Sequence, residues 1–132
     1  MTPEDIAGFA LEFAQVTEEQ PFGPTVDVYK VAGKVFVILA PDGTPPTVSL
    51  KCEPGLAIHL REHYDAVTPG YHLNKRHWNT VALDGSVPED EIKEMVEHSY
   101  RRVVAGLPKS VGRRLVLLSD LRLDRHVEGG AL

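Results

Sequence analysis

Tyr71-His72-Leu73-Asn74-Lys75-Arg76-His77-Trp78-Asn79-Thr80-Val81 brings the only tryptophan, two of the six histidines and two adjacent cations into eleven residues. On either side of its turn, residues 71–73 and 78–83 read as strands, and Asp84-Gly85 closes the second. Upstream, Pro54 can begin a helix in which Leu56, Ile58 and Leu60 give no clean stripe, so a short helix ending before Pro69-Gly70 is expected. Before it, residues 47–51 alternate as a strand, and 41–46 is a loop rich in proline and glycine. Further back, two strands from Thr25 to Ala40 flank an Ala32-Gly33 turn and predict a hairpin. Residues 15–23 read as a polar connection.

Both ends of this strand region carry strong helices. Thr2 can cap the first, Pro3 suits its first position, and Ile6, Phe9, Ala10 and Phe13 recur on one face. Downstream, Ser86 with Glu89 predicts a capping box around Pro88. Ile92, Met95, Val96, Tyr100, Val103 and Val104 keep one face until Gly106 and Pro108 stop the helix. The expected fold is α+β, a two-layer sandwich in the order α-β-β-β-α-β-β-α with the helices on one face of an antiparallel sheet. Leu115 to Leu118 is apolar enough to dock on it, and residues 128–132 read as a frayed tail.

At 132 residues, 42% hydrophobic and 25% charged, the chain has the composition of one globular domain over 1–132. No apolar run approaches the ~20 residues of a membrane span and the N-terminus is acidic, so a cytoplasmic protein with no membrane partner is expected. A single cysteine, Cys52, forms neither an internal disulfide nor a thiolate metal cluster. The net charge of −5 is uneven: residues 1–70 carry four Lys/Arg against ten Asp/Glu, whereas residues 99–125 carry seven against two. Only the C-terminal part offers an anion a favourable field.

Several stretches together resemble the MmcQ/YjbR family of small bacterial proteins. They are Pro21-Phe22-Gly23, the hairpin over 28–36, Asn74 to Val81, and Val87-Pro88 leading to Ser99-Tyr100 and Leu107-Pro108-Lys109. The resemblance spans about residues 6–109 and leaves 110–132 as a C-terminal extension, including Arg113, Arg114, Arg122 and Arg125. It implies a secretion-chaperone-like or frataxin-like two-layer fold with a double-wing arrangement and DNA binding, and it implies no settled catalytic site.

From the residues themselves, Lys75, Arg76 and His77 beside Trp78 could hold a phosphate and stack a base, because cations attract phosphate and an aromatic face stacks any base. Asn74 is expected to cap the turn. Arg101 and Arg102 suit a helix C-terminus, whereas Lys109, Arg113 and Arg114 lie beyond the helix and complete the expected nucleic-acid-binding set if they share a face with the turn.

His59-Leu60-Arg61-Glu62-His63 matches the H-x-x-E-H spacing of zinc peptidases, but a third ligand would have to come from Glu94 or Glu97. The expected state is one packed histidine and one partly exposed, with no metal. Glu89, Asp90, Glu91, Glu94 and Glu97 suit a helix N-terminus better than an iron-holding ridge. Neither a phosphate loop nor a nucleophile elbow is present. The sequence predicts a non-enzymatic binding protein without cofactor, a monomer or weak homodimer, whose partner is DNA. The alternative is a protein or peptide partner on an open sheet face edged by Tyr29, Tyr71 and Trp78.

Overall fold

The computed structural model describes residues 1–70, 72–115 and 117–118. Its elements are α1 (Pro3–Leu11), β1 (Val16–Glu19), β2 (Asp27–Val31), β3 (Lys34–Ala40), β4 (Thr47–Lys51), α2 (Pro54–His63), β5 (Val67–Pro69), β6 (Trp78–Ala82) and α3 (Glu89–Ala105). Residues 109–115 and 117–118 are also helical and are called α4. The six strands form one antiparallel sheet in the order β1-β2-β3-β4-β6-β5. The fold is α+β with the helices packed on the sheet, as the sequence predicts. None of its described helices is long and apolar enough to cross a membrane.

Local chemistry sets the helix ends. At α1, Thr2 Oγ1 accepts from Asp5 N–H while the Asp5 carboxylate accepts from Thr2 N–H, a complete capping box. At α2, Glu53 is the cap, its two oxygens accepting from Gly55 and Leu56 N–H at 2.8 Å each. The box expected for α3 does not form. Pro88 occupies the cap position without a side-chain bond, and Ser86 donates its hydroxyl to Asp84 Oδ1 at 2.6 Å. An acidic neighbour two residues away outcompetes the helix for that serine.

Two strands depart from expectation. β1 forms inside the stretch expected to be a polar connection. Its single valine and exposed Thr-Glu-Glu give no alternating signal, and it exists because β2 offers a free edge, with Val16 paired to Val31 and Glu19 to Val28. The strand expected at 71–73 lies instead at Val67–Pro69, where Pro69 faces Asn79 and ends the edge. Tyr71 lies outside the described residues, as do Arg122, Arg125 and the tail at 128–132.

Between helices and sheet, Val37, Leu39, Val48, Leu50 and Val81 meet Ile6, Ala10, Ile92, Val96 and Val103, all at most 5% exposed. Burying each valine, leucine or isoleucine among them contributes about 1.5–3 kcal/mol. Phe13 stacks on Tyr100 with ring centres 4.8 Å apart, Phe36 meets the same tyrosine edge-on, and Tyr100 Oη donates to Ala14 O at 2.9 Å. Beyond α3, Leu115 docks into this core as expected, and Gly112 lies so close to Val104 that an added Cβ would meet its carbonyl oxygen at 3.2 Å.

Ser99 is the one polar side chain in the middle of the α3 stripe, and it is wholly buried. Between β2 and β3 the register shifts, so that Tyr29 faces Val37 and Lys30 faces Val35, leaving Phe36 as the extra residue of a bulge. Beside it the β3–β4 ladder ends at Val37–Leu50. The Ser99 hydroxyl accepts from Lys51 N–H at 2.9 Å and donates to Phe36 O at 2.6 Å, relaying the hydrogen bond that the two strands no longer make directly.

Candidate nucleic-acid interface

The turn before β6 is built by its own backbone and by α2. Leu73 N–H donates to Gly70 O, His77 N–H donates to Asn74 O, and His72 takes a left-handed conformation with φ 56°. The Asn74 side chain accepts from Arg76 N–H at 3.0 Å, the capping role expected of it. Arg61 on α2 then clamps the turn from outside. Its Nε donates to Asn79 Oδ1 at 2.7 Å, and one terminal nitrogen donates to Trp78 O at 3.3 Å and to Lys75 O. Asn79 completes the clamp by donating to Ala57 O, and Cys52 N–H donates to His77 O at 2.7 Å.

This clamp leaves the Lys75 and Arg76 side chains exposed, without an ion-pair partner among the described residues. His77 is half-buried, and its Nδ1 is buried without a hydrogen-bond partner among the described residues. The alternation of β6 sends Asn79 and Val81 toward the helices and Trp78 and Thr80 to the opposite face. There Trp78 is half-buried, with Lys51 directly across from it. In the next row Ser49 and Thr80 share a hydrogen bond at 2.8 Å between their hydroxyls. Gly70 backs onto the tryptophan, and a Cβ there would lie 2.7 Å from Trp78 Cβ.

The second expected cluster lies on a different feature. Lys109 and Arg113 line a groove between α1, α3 and α4, and Arg114 is exposed beside it. No described residue from 72 to 80 lines that groove, and carboxylates of α1 and α3 share its rim. Arg101 is paired with Glu97 at 2.8 Å, and Arg102 turns inward, its Nε buried without a partner among the described residues. Of the cations named in sequence, Lys75 and Arg76 lie exposed in the turn that leads into Trp78. Lys109 and Arg113 belong to the groove.

Two other readings are corrected. His59 and His63 are both exposed, their rings parallel and 6.2 Å apart, because that face of α2 looks away from the sheet. Among the described residues no cluster of His, Cys, Asp and Glu could hold a metal ion, and Arg61 between the two histidines is the member of that motif with a role. Tyr29 does not edge the open sheet face: it is 1% exposed in the core, and its hydroxyl donates to Glu18 on β1 at 2.7 Å.

A smaller cavity of about 270 Å³ lies between α2, α3 and the strands, bordered by Cys52, Leu56, Met95 and His98. Burial, and then the nearby Glu53 carboxylate, push the Cys52 thiol up to about 11, so it stays protonated and unreactive at neutral pH. His98 Nε2 accepts from Glu53 N–H at 3.1 Å, and burial together with Arg102 lowers its pKa below 6.5. The sequence pattern points to neither Arg61 nor His98 in these roles. Ser99 had a legible signal, a hydroxyl on an otherwise apolar stripe.

The YjbR family model matches residues 11–102. The uncharacterised protein YbdF of Escherichia coli O157:H7 is 34% identical over 80% of this chain and 87% of its own length. The uncharacterised protein YjbR of Escherichia coli K12 is 43% identical over 67% of this chain and 75% of its own. Among solved structures, the crystal structure of Deinococcus radiodurans protein DR2400, which carries the DUF419 domain, superposes with a TM-score of 0.80 at 34% identity, covering 86% of this chain and 87% of that one. A Pseudomonas syringae protein gives a TM-score of 0.66 at 26% identity, covering 75% of this chain and 96% of that one. The matched span runs from the end of α1 through Arg61, the clamped turn and Ser99, and on it the chain belongs to the YjbR family.

Proposed function

We propose that this is a non-enzymatic cytoplasmic protein that binds DNA on the sheet face opposite its helices. The observation that carries the reading is the grouping around Trp78: an indole on the sheet face opposite Asn79 and Val81, Lys51 directly across, and two exposed cations without an ion-pair partner among the described residues immediately before it in a turn clamped by Arg61. An aromatic face stacks bases irrespective of sequence, and lysine and arginine beside it follow the phosphates. Stacking needs an unpaired base, so the preferred form is single-stranded. A non-enzymatic role agrees with a thiol held protonated and a histidine whose Nε2 is occupied by a backbone N–H.

Trp78 is the only tryptophan, so its fluorescence reports on the site directly. Titration with oligothymidylate should quench it. If Lys51, Lys75 and Arg76 each neutralise one phosphate, affinity should fall about 20-fold between 50 and 200 mM salt. The double change Lys75→Ala/Arg76→Ala should flatten that response, and Trp78→Ala should weaken binding by about 1–3 kcal/mol. Unquenched emission, or an affinity indifferent to salt, would refute the proposal. Binding of a peptide on the same face with no salt dependence would favour the protein-partner alternative.

A further inference from the structure

The groove between α1, α3 and α4 shares no residue with the grouping around Trp78, and its chemistry is different. Lys93 Nζ lies 5.7 Å from the ring centre of Phe9, and Tyr100 Oη donates to Ala14 O, so α1 and α3 run parallel and their N-termini lie at the same end. Glu4, Asp5 and Glu89 rim that end, whereas Lys109 and Arg113 rim the other. Lys93 and Glu94 offset each other midway, Arg101 is bonded to Glu97, and Glu12 lowers the positive end without reversing it. Between the ends the lining is aromatic and aliphatic, and Leu117 remains 61% exposed.

We propose that this groove is a docking site for one amphipathic helix of a partner protein, lying antiparallel to α1 and α3. Its volume, about 1480 Å³, exceeds the ~300–1,000 Å³ of small-molecule sites and suits a polypeptide. The charge gradient sets the direction. Helices tend to carry acids in their first turn and cations in their last, so an antiparallel helix brings its basic end to Glu4 and Glu89 and its acidic end to Lys109 and Arg113. Gly8 supplies an independent argument. It lies mid-helix in α1, lines the groove, and a Cβ added there would meet nothing within 4 Å, so internal packing gives no reason for a residue that weakens the helix. A bare backbone on that face lets a second helix approach closely.

The probe is a dye-labelled synthetic helical peptide of about four turns, with a leucine stripe at the i, i+3, i+4, i+7 spacing, glutamates in its first turn and lysines in its last. A second peptide has the same stripe and exchanged ends. Fluorescence anisotropy with the full chain should show the first binding about tenfold tighter than the second. The double change Glu4→Lys/Lys109→Glu should reverse that order, and Gly8→Phe should abolish binding of both peptides. Leu117→Glu blocks the groove independently should Gly8→Phe fold poorly, and circular dichroism checks each variant. Equal affinity for the two peptides, binding that survives both blocking changes, or displacement of the peptide by self-association of the chain in sedimentation would overturn the proposal.

Discussion

Replacing Ser99 with alanine should be among the costliest single-atom deletions in the protein. The hydroxyl is fully buried and accepts from Lys51 N–H while donating to Phe36 O, so its loss strands a backbone donor and a backbone acceptor inside the fold. Each such stranded group costs about 1–3 kcal/mol. Alanine returns a few tenths as the better helix former, leaving a net loss of about 1.5–5.5 kcal/mol. For a chain of 132 residues an unfolding entropy of about 0.28 kcal/mol/K converts 3 kcal/mol into a Tm lower by about 10 °C. Urea titration followed by circular dichroism reads the free energy, with the slope m unchanged because the same surface is exposed. Ser49→Ala is the control: that hydroxyl pairs with Thr80 on the sheet face opposite the helices, and its removal should cost less than about 1 kcal/mol. If Ser99→Ala unfolds within about 0.5 kcal/mol of the parent, or no more easily than Ser49→Ala, the relay between β3 and β4 does not carry the weight assigned to it.

Gly8→Ala should stabilise the protein by about 0.5–1 kcal/mol and raise Tm by a few degrees, since the new methyl meets open space on a helix. Gly70→Ala should do the opposite by more than about 1 kcal/mol, because its Cβ would come within 2.7 Å of Trp78 Cβ; equal melting curves for these two variants would contradict both arguments. Arg61→Ala should cost about 1.5–3 kcal/mol and speed amide exchange at His77, and Arg61→Lys should not rescue it, since an ammonium cannot serve oxygens on Lys75, Trp78 and Asn79 through one planar fork. His98 is held neutral by burial and by Arg102, with Glu53 opposing, so its folded pKa lies below 6.5 and the unfolded chain binds the extra proton first. Its contribution to stability is present above pH 6.5 and is lost as pH falls toward the folded value. The loss between about pH 7.5 and 5.5 should be smaller in His98→Asn than in the parent, and identical pH profiles would remove His98 from the account.

Periodicity carried the sequence reading wherever one face of an element was buried. The stripe of α3, the β2–β3 hairpin and β4 were legible because period and core face coincide there. β1 was not: an edge strand with three exposed polar residues is defined by its pairing partner, and pairing leaves no local pattern. Ser86 showed a second limit, since a serine three residues before a glutamate satisfies the capping motif until an aspartate two residues back claims its hydroxyl. At the site, the turn over 74–78 was legible from its composition, but its rigidity was not, because Arg61 reaches it from another helix. That Lys109 lines a groove to which the described turn residues contribute nothing was not legible for a similar reason: proximity of like charges in composition says nothing about which groove a later helix enters.

A net charge of −5 looks unfavourable for an anion-binding protein, yet much of the negative charge has an internal task. Asp5 and Glu53 accept from backbone N–H groups, and Asp84 accepts from the Ser86 hydroxyl and then from its N–H, which holds all three carboxyls below the usual range. Glu18 holds the Tyr29 hydroxyl, Glu19 pairs with Lys30 at 3.2 Å, and Glu97 pairs with Arg101. Others rim the α1–α3 groove, a feature apart from Trp78. Interactions between exposed charges fade beyond about 8 Å at physiological salt, so a phosphate near Lys75 and Arg76 senses those two cations far more than the remote carboxylates. The overall field still opposes a polyanion at long range, and that cost falls on the encounter rate. Local cations and stacking act after contact, so on this geometry salt and substitution at the turn should alter mainly how long a complex lasts.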